Sequence, residues 1–391
     1  MISTVNRLAL LLACGCVAWS GWPQGGGWVV TAKDDLNIAR PSETIVLDAQ
    51  EFRKANPKVD LKTIHVKDAA SGMEMLTQTV DLNGDAVWDQ LLFQADLGPG
   101  ETRRFRLAIG ERQIPLKDQY KAYGRFVRER FDDFAWENDR AAFRTYGTAL
   151  ETWQQEPLTS SAIDVWCKRV RRLVINDWYM VDDYHRDTGE GGDLYSAGRS
   201  RGCGGSGIWE EGKLHVSRNF IMSKVIANGP IRVVFELAYA PWEITGWKVS
   251  EVKRITLDAG QNLNRIESVY QSDRRGEIRF AAGIKKADGS TSLARKEAAW
   301  LRTWEALKGN GHLGCGIVID PEHLADITEG EGNCLVVAKA TIGQAAVYYA
   351  GFGWDKSADF SSVADWEAYL DQYAKRLRSP VKVSILGLAQ K

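Results

Sequence analysis

The chain has no surplus of charge of either sign, because 50 Lys and Arg residues are balanced by 51 Asp and Glu residues. This balance argues against nucleic acid or an anionic membrane surface as the main partner. Proline is scarce, with 10 residues in 391, against a usual share of about 5%. The hydrophobic share of 44% and the charged share of 26% are close to the globular norm. Together these values exclude a disordered chain, a collagen-like chain and a disulfide miniprotein.

Several catalytic signatures are also absent. The sequence has no Ser-His-Asp signature, no His cluster of the kind that binds a metal, and no nucleotide-binding fingerprint. It also lacks the Gly-x-x-x-x-Gly-Lys-Ser/Thr order of a phosphate-binding loop. Each absence removes one class of enzyme, and we expect neither a metal cofactor nor an organic one.

Cysteine is infrequent, with six residues, of which Cys14 and Cys16 lie close to the N-terminus. The other four form no Cys-x-x-Cys pair and no zinc-like spacing. Two alternatives stay open for them. Cys315 and Cys334 lie in apolar runs suited to neighbouring strands and are the plausible disulfide pair, or all four cysteines are buried free thiols.

The first 20 residues have the pattern of an export signal. Arg7 precedes an apolar run from Leu8 to Trp19, and small residues stand at Ala18 and Ser20. The run is shorter than the roughly 20 residues of a membrane-spanning helix. It also resembles a lipoprotein cleavage box ending at Cys14, and a buried N-terminal helix is a third alternative. We expect a periplasmic or secreted protein that contacts a membrane only if it is an outer-membrane lipoprotein with a lipid on Cys14.

Tryptophan and glycine are abundant. The chain has 15 Trp, more than its 12 Phe or 12 Tyr, and 37 Gly. An indole ring has a flat apolar face and a polar N–H, which suits the C–H faces and hydroxyl groups of sugar rings. This composition favours a carbohydrate ligand.

Length and periodicity predict two β-rich domains. Short alternating runs at residues 43–48, 62–66, 91–94 and 102–107 indicate a small antiparallel sandwich over residues 25–110. A polar linker over residues 110–124 leads to a larger unit, residues 125–391, with strands near 142–146, 231–237, 249–257, 264–270 and 345–349. One helix is expected near the end, starting at Ser362 and placing Trp366, Leu370, Tyr373 and Leu377 on one face. The predicted fold class is all-β, with a small sandwich followed by a large antiparallel one.

Three stretches of the sequence resemble the domain-of-unknown-function 4861 family of exported bacterial proteins. They are RERFDDFAWENDR with AFRTYG (residues 128–140 and 142–147), YHRDTGEGGDLYSAG (184–198) and DLNGD (81–85). The resemblance covers nearly the whole chain after the export signal. It implies a galactose-mutarotase-like supersandwich in bacteria that use plant or algal polysaccharides. At least one similar protein is an oligosaccharide dehydratase that acts on terminal uronic acids of ulvan.

The first cluster of candidate site residues surrounds a predicted strand. Alternation places Arg144 and Tyr146 on one strand face, beside the turn formed by Trp136, Glu137, Asn138 and Arg140. Arg supplies a charged fork for a sugar carboxylate, and Trp supplies a stacking surface. The alternative is a structural Arg paired with Glu137 or Asp139.

The second cluster lies in a Gly-rich segment, residues 184–207, which we expect to be a surface loop that binds a ligand. Tyr184 and His185 are the leading catalytic pair because an imidazole gains or loses a proton near neutral pH. The alternative is a flexible loop with a solvated His. The remaining polar residues of the segment are candidates for substrate binding: Asp193, Tyr195, Arg199 and Arg201.

A third motif has oxygen-bearing side chains at alternate positions, as in a calcium loop: Asp81, Asn83, Asp85 and Asp89. Ala86 replaces the usual turn Gly and no Glu closes the loop. A tight Asn-Gly hairpin turn is the favoured interpretation, and it leaves a structural calcium ion as the alternative.

These residue types fit β-elimination at a uronic acid. That reaction requires a group that neutralises the carboxylate, a base that removes the adjacent proton, and an acid that assists the leaving oxygen. Arg144, His185 and Tyr184 match the three roles. The rival hypotheses are a glycoside hydrolase using two carboxylates among Glu137, Asp139, Asp193 and Glu267, a mutarotase-like epimerase, and a non-catalytic sugar-binding protein.

Overall fold

The computed structural model describes residues 27–154, 158, 161–181 and 183–387. The predicted export signal with Cys14 lies outside these residues, so export and lipidation stay predictions. No helix among the described residues is both long enough and apolar enough to cross a membrane.

A small N-terminal sandwich is formed by a five-stranded antiparallel sheet and a three-stranded one. Inward residues alternate along its strands, as Trp28, Val30 and Ala32 do on the first. The packed side chains include Phe93 and Phe105, whose rings meet edge to face. Its chain-order elements are β1 Trp28–Lys33, β2 Arg40–Asp48, α1 Ala49–Ala55, β3 Ile64–Asp68, β4 Glu74–Met75, β5 Thr77–Val80, β6 Gln90–Leu97 and β7 Thr102–Ile109.

The rest of the described chain forms a larger, mostly antiparallel unit that also contains the helices α2 and α3. Its elements are β8 Ala122–Val127, β9 Asp133–Asn138, β10 Ala142–Thr145, β11 Asp164–Lys168, α2 Ile175–Trp178, β12 Gly191–Gly192, β13 Cys203–Glu210, β14 Lys213–His215, β15 Met222–Ala227, β16 Arg232–Glu243, β17 Lys248–Asp258, β18 Leu263–Gln271, β19 Glu277–Lys285, β20 Thr291–Arg295, β21 Trp300–Ala306, β22 His312–Val318, β23 Leu324–Gly330, β24 Asn333–Thr341, β25 Ala345–Trp354 and α3 Val363–Arg378. A last strand, β26 Lys382–Gly387, follows α3.

Three sheets form the large unit. An eight-stranded sheet has the order β15-β16-β17-β18-β25-β22-β21-β20, and two five-stranded sheets have the orders β14-β13-β19-β24-β23 and β12-β11-β10-β9-β8. One hydrophobic cluster takes side chains from all three, for example Phe235 of the large sheet, Phe280 of the second and Phe134 of the third. The predicted all-β sandwich class is therefore confirmed.

The final strand joins the small sandwich. Over its whole length β26 pairs with β1, from Trp28 opposite Gly387 to Lys33 opposite Lys382. The sequence-based boundary assigned this segment to the large unit. A boundary drawn from composition does not detect pairing between strands that are far apart in the sequence, and residues 382–387 extend the five-stranded sheet of the small sandwich.

Helix α3 begins where its sequence predicts. The Ser362 side chain accepts a hydrogen bond from Asp365 N, and Trp366 and Leu370 are buried against the eight-stranded sheet. The sheet has glycines beneath them: a Cβ on Gly316 would lie 2.8 Å from Leu370 Cδ2 and 2.9 Å from Trp366 Cζ2. The close approach of α3 to the sheet therefore depends on glycine, which has no side chain, in β22.

The structure decides between the two alternatives for the cysteines. Cys315 and Cys334 form no disulfide, and they are buried free thiols together with Cys167 and Cys203, as the second alternative has it. The Gly-rich segment 184–207 is only partly a loop, because it contains β12 and the first half of β13. Its glycines allow close packing inside the sandwich: a Cβ on Gly205 would lie 2.7 Å from Arg201 O.

The Asp-rich motif forms the connection between β5 and β6. Asp81 accepts hydrogen bonds from Gly84 N at 2.7 Å and Ala86 N at 2.8 Å, and Asp89 accepts one from Leu82 N. Ala86 has the left-handed φ of 65° that the motif would usually give to Gly. Backbone N–H groups thus donate to the carboxylate oxygens of this motif. The connection has nine residues and is longer than the predicted two-residue Asn-Gly hairpin turn.

We expect Gly316→Ala to destabilise the protein by about 1–3 kcal/mol, the usual cost of overpacking, because buried Trp366 and Leu370 must move. Urea unfolding of the purified protein measures the loss. Gly330→Ala is the matched control, since its Cβ would meet only Leu335 Cδ1 at an ordinary 3.7 Å. Equal stability of the two variants would contradict this account of how α3 packs.

Candidate active site

The sheet formed by β8 to β12 carries a cluster of ionisable side chains at one face. Arg144 in β10 stands directly opposite Asp164 in β11, and directly opposed residues of antiparallel strands project to the same face. Asp133 begins β9, and Asp193 follows β12. Strand pairing therefore brings together four charged residues that are separated by up to 60 positions in the chain.

Arg144 is the centre of this cluster and only 5% of its side chain is exposed. Its Nε lies 2.9 Å from Asp164 Oδ2, its Nη2 lies 2.8 Å from Asp193 Oδ2, and its Nη1 lies 3.8 Å from Asp133 Oδ2. Its Nη1 also donates to Tyr184 Oη at 3.4 Å. These internal partners take up the fork that the sequence analysis assigned to a substrate carboxylate. The alternative of a structural Arg named Glu137 or Asp139 as the partner, whereas the structure pairs Arg144 with Asp133, Asp164 and Asp193.

Tyr146 lies on the same face as Arg144, as alternation predicts. Its hydroxyl donates to Asp164 Oδ2 at 2.7 Å, and the ring is buried. Its burial raises the pKa of its hydroxyl well above the usual value. Tyr146 therefore holds Asp164 in place from inside the protein and does not reach a ligand.

His185 lies at the surface of this cluster, with 52% of its side chain exposed. Its Nδ1 is 3.1 Å from Oδ2 of Asp193, which is buried and also paired with Arg144. The contact with Asp193 raises the pKa of His185 above its usual value. Neither Asp193 oxygen accepts a hydrogen bond among the described residues, so the contact with His185 is an ion-pair contact at Nδ1. Nε2 is the ring nitrogen that Asp193 does not contact.

Tyr184 packs beside His185, with the two ring centroids 4.5 Å apart. It is half-buried and also contacts Trp166 and Tyr179. Burial raises the pKa of its hydroxyl, although the positive charges of Arg144 and Arg130 oppose the shift. At neutral pH Tyr184 is thus a protonated phenol that can donate a hydrogen bond or a proton.

The two remaining carboxylates have strongly raised pKa values. Burial raises the pKa of Asp133 from 3.8 to about 7, against the opposing charge of Arg144. Burial, followed by the negative charge of Asp193, raises the pKa of Asp164 to about 6. Three carboxyl groups share one guanidinium, and protons on some of them reduce the excess negative charge.

The residues of the first predicted turn have internal partners, and all of them except the partly exposed Arg140 are buried. Trp136 is fully buried, stacks on Phe143 and donates to Asn264 Oδ1 at 2.7 Å, so its ring has no face for a sugar. Asn138 donates to two backbone carbonyls. Arg140 pairs with Asp359.

Glu137 forms a buried ion pair with Lys168, whose Nζ lies 2.7 Å from Glu137 Oε2. The other oxygen accepts hydrogen bonds from Val174 N and Ile175 N, at the start of α2. Glu137 therefore connects three elements and is not free for catalysis. The sequence analysis placed Glu137 in a binding site because of its residue type. Its burial, which the residue type does not reveal, gives it a structural role instead.

The second predicted cluster is divided in the structure. Asp193 supports His185, whereas Tyr195 is buried with Lys285 Nζ 4.1 Å from its ring centroid. Arg201 is buried beneath Gly283, and burial lowers its pKa to about 10. Arg199 is exposed. Tyr184, His185 and Asp193 form one site, and the other members lie elsewhere.

Arg130 is a site residue that the sequence analysis missed. It ends a 3-10 turn before β9, and its guanidinium carbon lies 4.5 Å from the ring centroid of Trp153. Its charge lowers the pKa of Asp133, Tyr184 and His185. Among the described residues no carboxylate is within ion-pair distance of it, and its buried Nε has no hydrogen-bond partner. Its place in the family-like run 128–140 was the available signal.

Asp133→Asn tests the protonation of the cluster. The Asp133 carboxyl group has a pKa of about 7 in the folded protein and about 4 in the unfolded chain. Between these two pH values folding takes up a proton. The free energy of unfolding of the wild type therefore falls as the pH rises through this range. Asn does not titrate. Relative to wild type, the variant should gain on the order of 2–4 kcal/mol between pH 4 and pH 8, measured by urea unfolding.

Asp288→Asn, on an exposed turn, is the control for the substitution and the buffers. A stability difference between Asp133→Asn and wild type that stays constant across this pH range would contradict a buried neutral carboxyl at Asp133.

Two solved structures resemble this chain weakly. One is an alpha-mannosidase from Enterococcus faecalis V583, with a TM-score of 0.46, 8% identity, and coverage of 93% of this chain and 46% of that chain. The other is a protein in glycosyl hydrolase family 38 from Enterococcus faecalis, with a TM-score of 0.48, 8% identity, and coverage of 93% and 48%. This chain spans about half the length of either protein, and such a likeness supports no inference about activity.

Sequence comparison is more specific. The chain is 32% identical over 372 residues to "Uncharacterized protein P7" of Formosa agariphila, covering 91% of this chain and 93% of that protein. The family described as "Domain of unknown function (DUF4861)" matches residues 32–383. The resemblance noted in the sequence is thereby confirmed, and the chain belongs to the DUF4861 family.

Proposed function

We propose that the protein is a carbohydrate-active enzyme that performs β-elimination on oligosaccharides containing uronic acid. The observation that carries this proposal is the half-exposed His185, whose ring is oriented by the buried Asp193 beside Tyr184. An exposed imidazole next to a carboxylate is a suitable general base near neutral pH. The arrangement is thus a base with an adjacent phenol at the protein surface.

Arg130 replaces Arg144 as the group that neutralises the substrate carboxylate. Arg144 is enclosed by its three carboxylates, whereas Arg130 has no such partner among the described residues. The ring of Trp153 supports its guanidinium. A guanidinium can bind a carboxylate through two parallel hydrogen bonds, and this makes the neighbouring C–H more acidic.

The chemistry then uses two proton transfers. His185 Nε2 removes the proton from the carbon next to the carboxylate, and that electron pair forms the C=C bond. The C–O bond to the C4 substituent breaks, and Tyr184 gives its proton to the departing oxygen. Solvent returns a proton to Tyr184 and accepts one from His185. Loss of water is a dehydratase reaction, and loss of a sugar is a lyase reaction.

The structure gives the two-carboxylate hydrolase less support. Glu137 is buried on Lys168, Glu267 pairs with Arg265, and Asp193 lies beneath His185 and Arg144. Asp139 accepts a hydrogen bond from Gly260 N at 2.6 Å. All four carboxylates have internal partners, so no pair of them is arranged around an open site.

A screen of uronic oligosaccharides from algal and plant polysaccharides tests the proposal. A rise in the ultraviolet absorbance of a conjugated uronate without new reducing ends indicates a dehydratase, and a rise with new ends indicates a lyase. New ends alone indicate a hydrolase. Binding without any of these changes indicates a sugar-binding protein. The last two results would overturn β-elimination.

His185→Ala should lower turnover of the true substrate by about 10²–10⁴-fold, the usual contribution of general acid–base catalysis. Thermal unfolding should be nearly unchanged because the side chain is half exposed. His312→Ala is a closely matched control: His312 is 50% exposed and its Nδ1 lies 3.0 Å from Asp355. Full activity in His185→Ala would place the base on another residue.

Arg130→Lys should lower kcat/KM by about 10- to 100-fold, because Lys retains the charge and loses the paired hydrogen bonds. Part of the loss should appear in KM, since the carboxylate contact also binds the ground state. Arg128→Lys, at an exposed position of the same turn, is the control. If both variants behave as wild type, another group neutralises the carboxylate.

A further inference from the structure

A cleft of about 360 Å³ lies between the small sandwich and the large unit. The small sandwich contributes Lys62 and Trp88, the connecting segment contributes Tyr120, and the large unit contributes Lys224 and Asn228. None of these residues belongs to the His185 site. Its walls therefore combine aromatic rings, amides and ammonium groups at a place that the proposed reaction does not use.

We propose that this cleft is a second carbohydrate site, which binds an anionic saccharide through its sulfate or carboxylate groups. Trp88 and Tyr120 provide apolar ring surface for a sugar, and Lys62 and Lys224 provide positive charge. The proposal does not depend on β-elimination, because the cleft shares no residue with the candidate active site.

The two lysines of the cleft have no carboxylate partner among the described residues. Lys62 Nζ instead lies 4.5 Å from the ring centroid of Trp88, and Lys224 is exposed next to Gly84. Asp81 is the one carboxylate among the described lining residues, and its two oxygens accept hydrogen bonds from Gly84 N and Ala86 N. The cleft therefore has two positive charges available to an anionic ligand.

Gln78, one of the lining residues, is held in place by hydrogen bonds. This buried side chain donates to Arg232 O at 2.8 Å and accepts from Ile231 N and Arg232 N at 2.9 and 2.8 Å. Its amide thus bonds the small sandwich to the large unit at the cleft. A part of the lining that is already ordered adds no ordering cost when a ligand binds, which favours affinity.

Calorimetric titration of the full chain carrying His185→Ala, in which turnover is slowed, tests the proposal with three tetrasaccharides. Tetragalacturonate has carboxylates, a carrageenan tetrasaccharide has sulfate esters, and cellotetraose has neither. We expect binding of one or both anionic probes, weakened by added salt. Binding of only one of them identifies the anionic group. Equal binding of all three, or of none, would overturn the proposal.

The variant Lys62→Gln/Lys224→Gln should weaken binding of the anionic probe by about 10-fold or more. The matched control is Lys375→Gln, an exposed lysine of α3 outside the cleft. With His185 intact, the double variant should keep its turnover of a short substrate, which separates this site from the catalytic one. Unchanged affinity in the double variant would overturn the cleft as the binding site. Absence of turnover in the wild type would bear only on β-elimination.

Discussion

The buried guanidinium of Arg144 is the interaction on which the candidate site depends. Three carboxylates approach it from β9, from β11 and from the segment after β12, and each has been removed from water at a cost of several kcal/mol. Arg144 compensates part of that cost, and the raised pKa of Asp133, about 7, reduces the rest because this carboxyl group is about half protonated at neutral pH. Asp193 is held in position by this balance, and Asp193 in turn orients His185.

The sheet that carries Arg144 is itself fixed by polar side chains within a hydrophobic core. Trp136 and Phe143 are directly opposed on the β9–β10 pair and their rings stack on the same face, and the indole N–H donates to Asn264 of the eight-stranded sheet. Glu137 connects β9 to Lys168 and to the start of α2. Trp136 and Glu137, which resemble a binding turn in the sequence, thus fix the position of the strand face that carries Arg144. The exposed residue His185 lies on a segment that this sheet supports.

Much of the fold could be predicted from the sequence, because alternation and turn residues are local signals. The strands, the start of α3 at Ser362 and the shared face of Arg144 and Tyr146 all follow from them. Burial and long-range pairing do not. Nothing local distinguishes an Arg that binds substrate from one enclosed by Asp133, Asp164 and Asp193, and nothing local places β26 beside β1. Composition also does not tell which tryptophans can reach a ligand: the fully buried side chains include five of them, Trp136, Trp166, Trp300, Trp354 and Trp366.

The cost of the Arg144 cluster bears on function as well as on stability. Replacing a buried ionic group by well-packed apolar residues is often neutral or stabilising, so a cluster with more acids than bases is an expensive way to hold four strands together. Perturbed carboxyl groups beneath a surface imidazole are, by contrast, what acid–base chemistry requires. A purely structural cluster would need no contact with solvent, yet this one reaches the surface through His185 and Tyr184. The exposed imidazole is thus the part of the network that stability does not explain, and it is where we place the reaction.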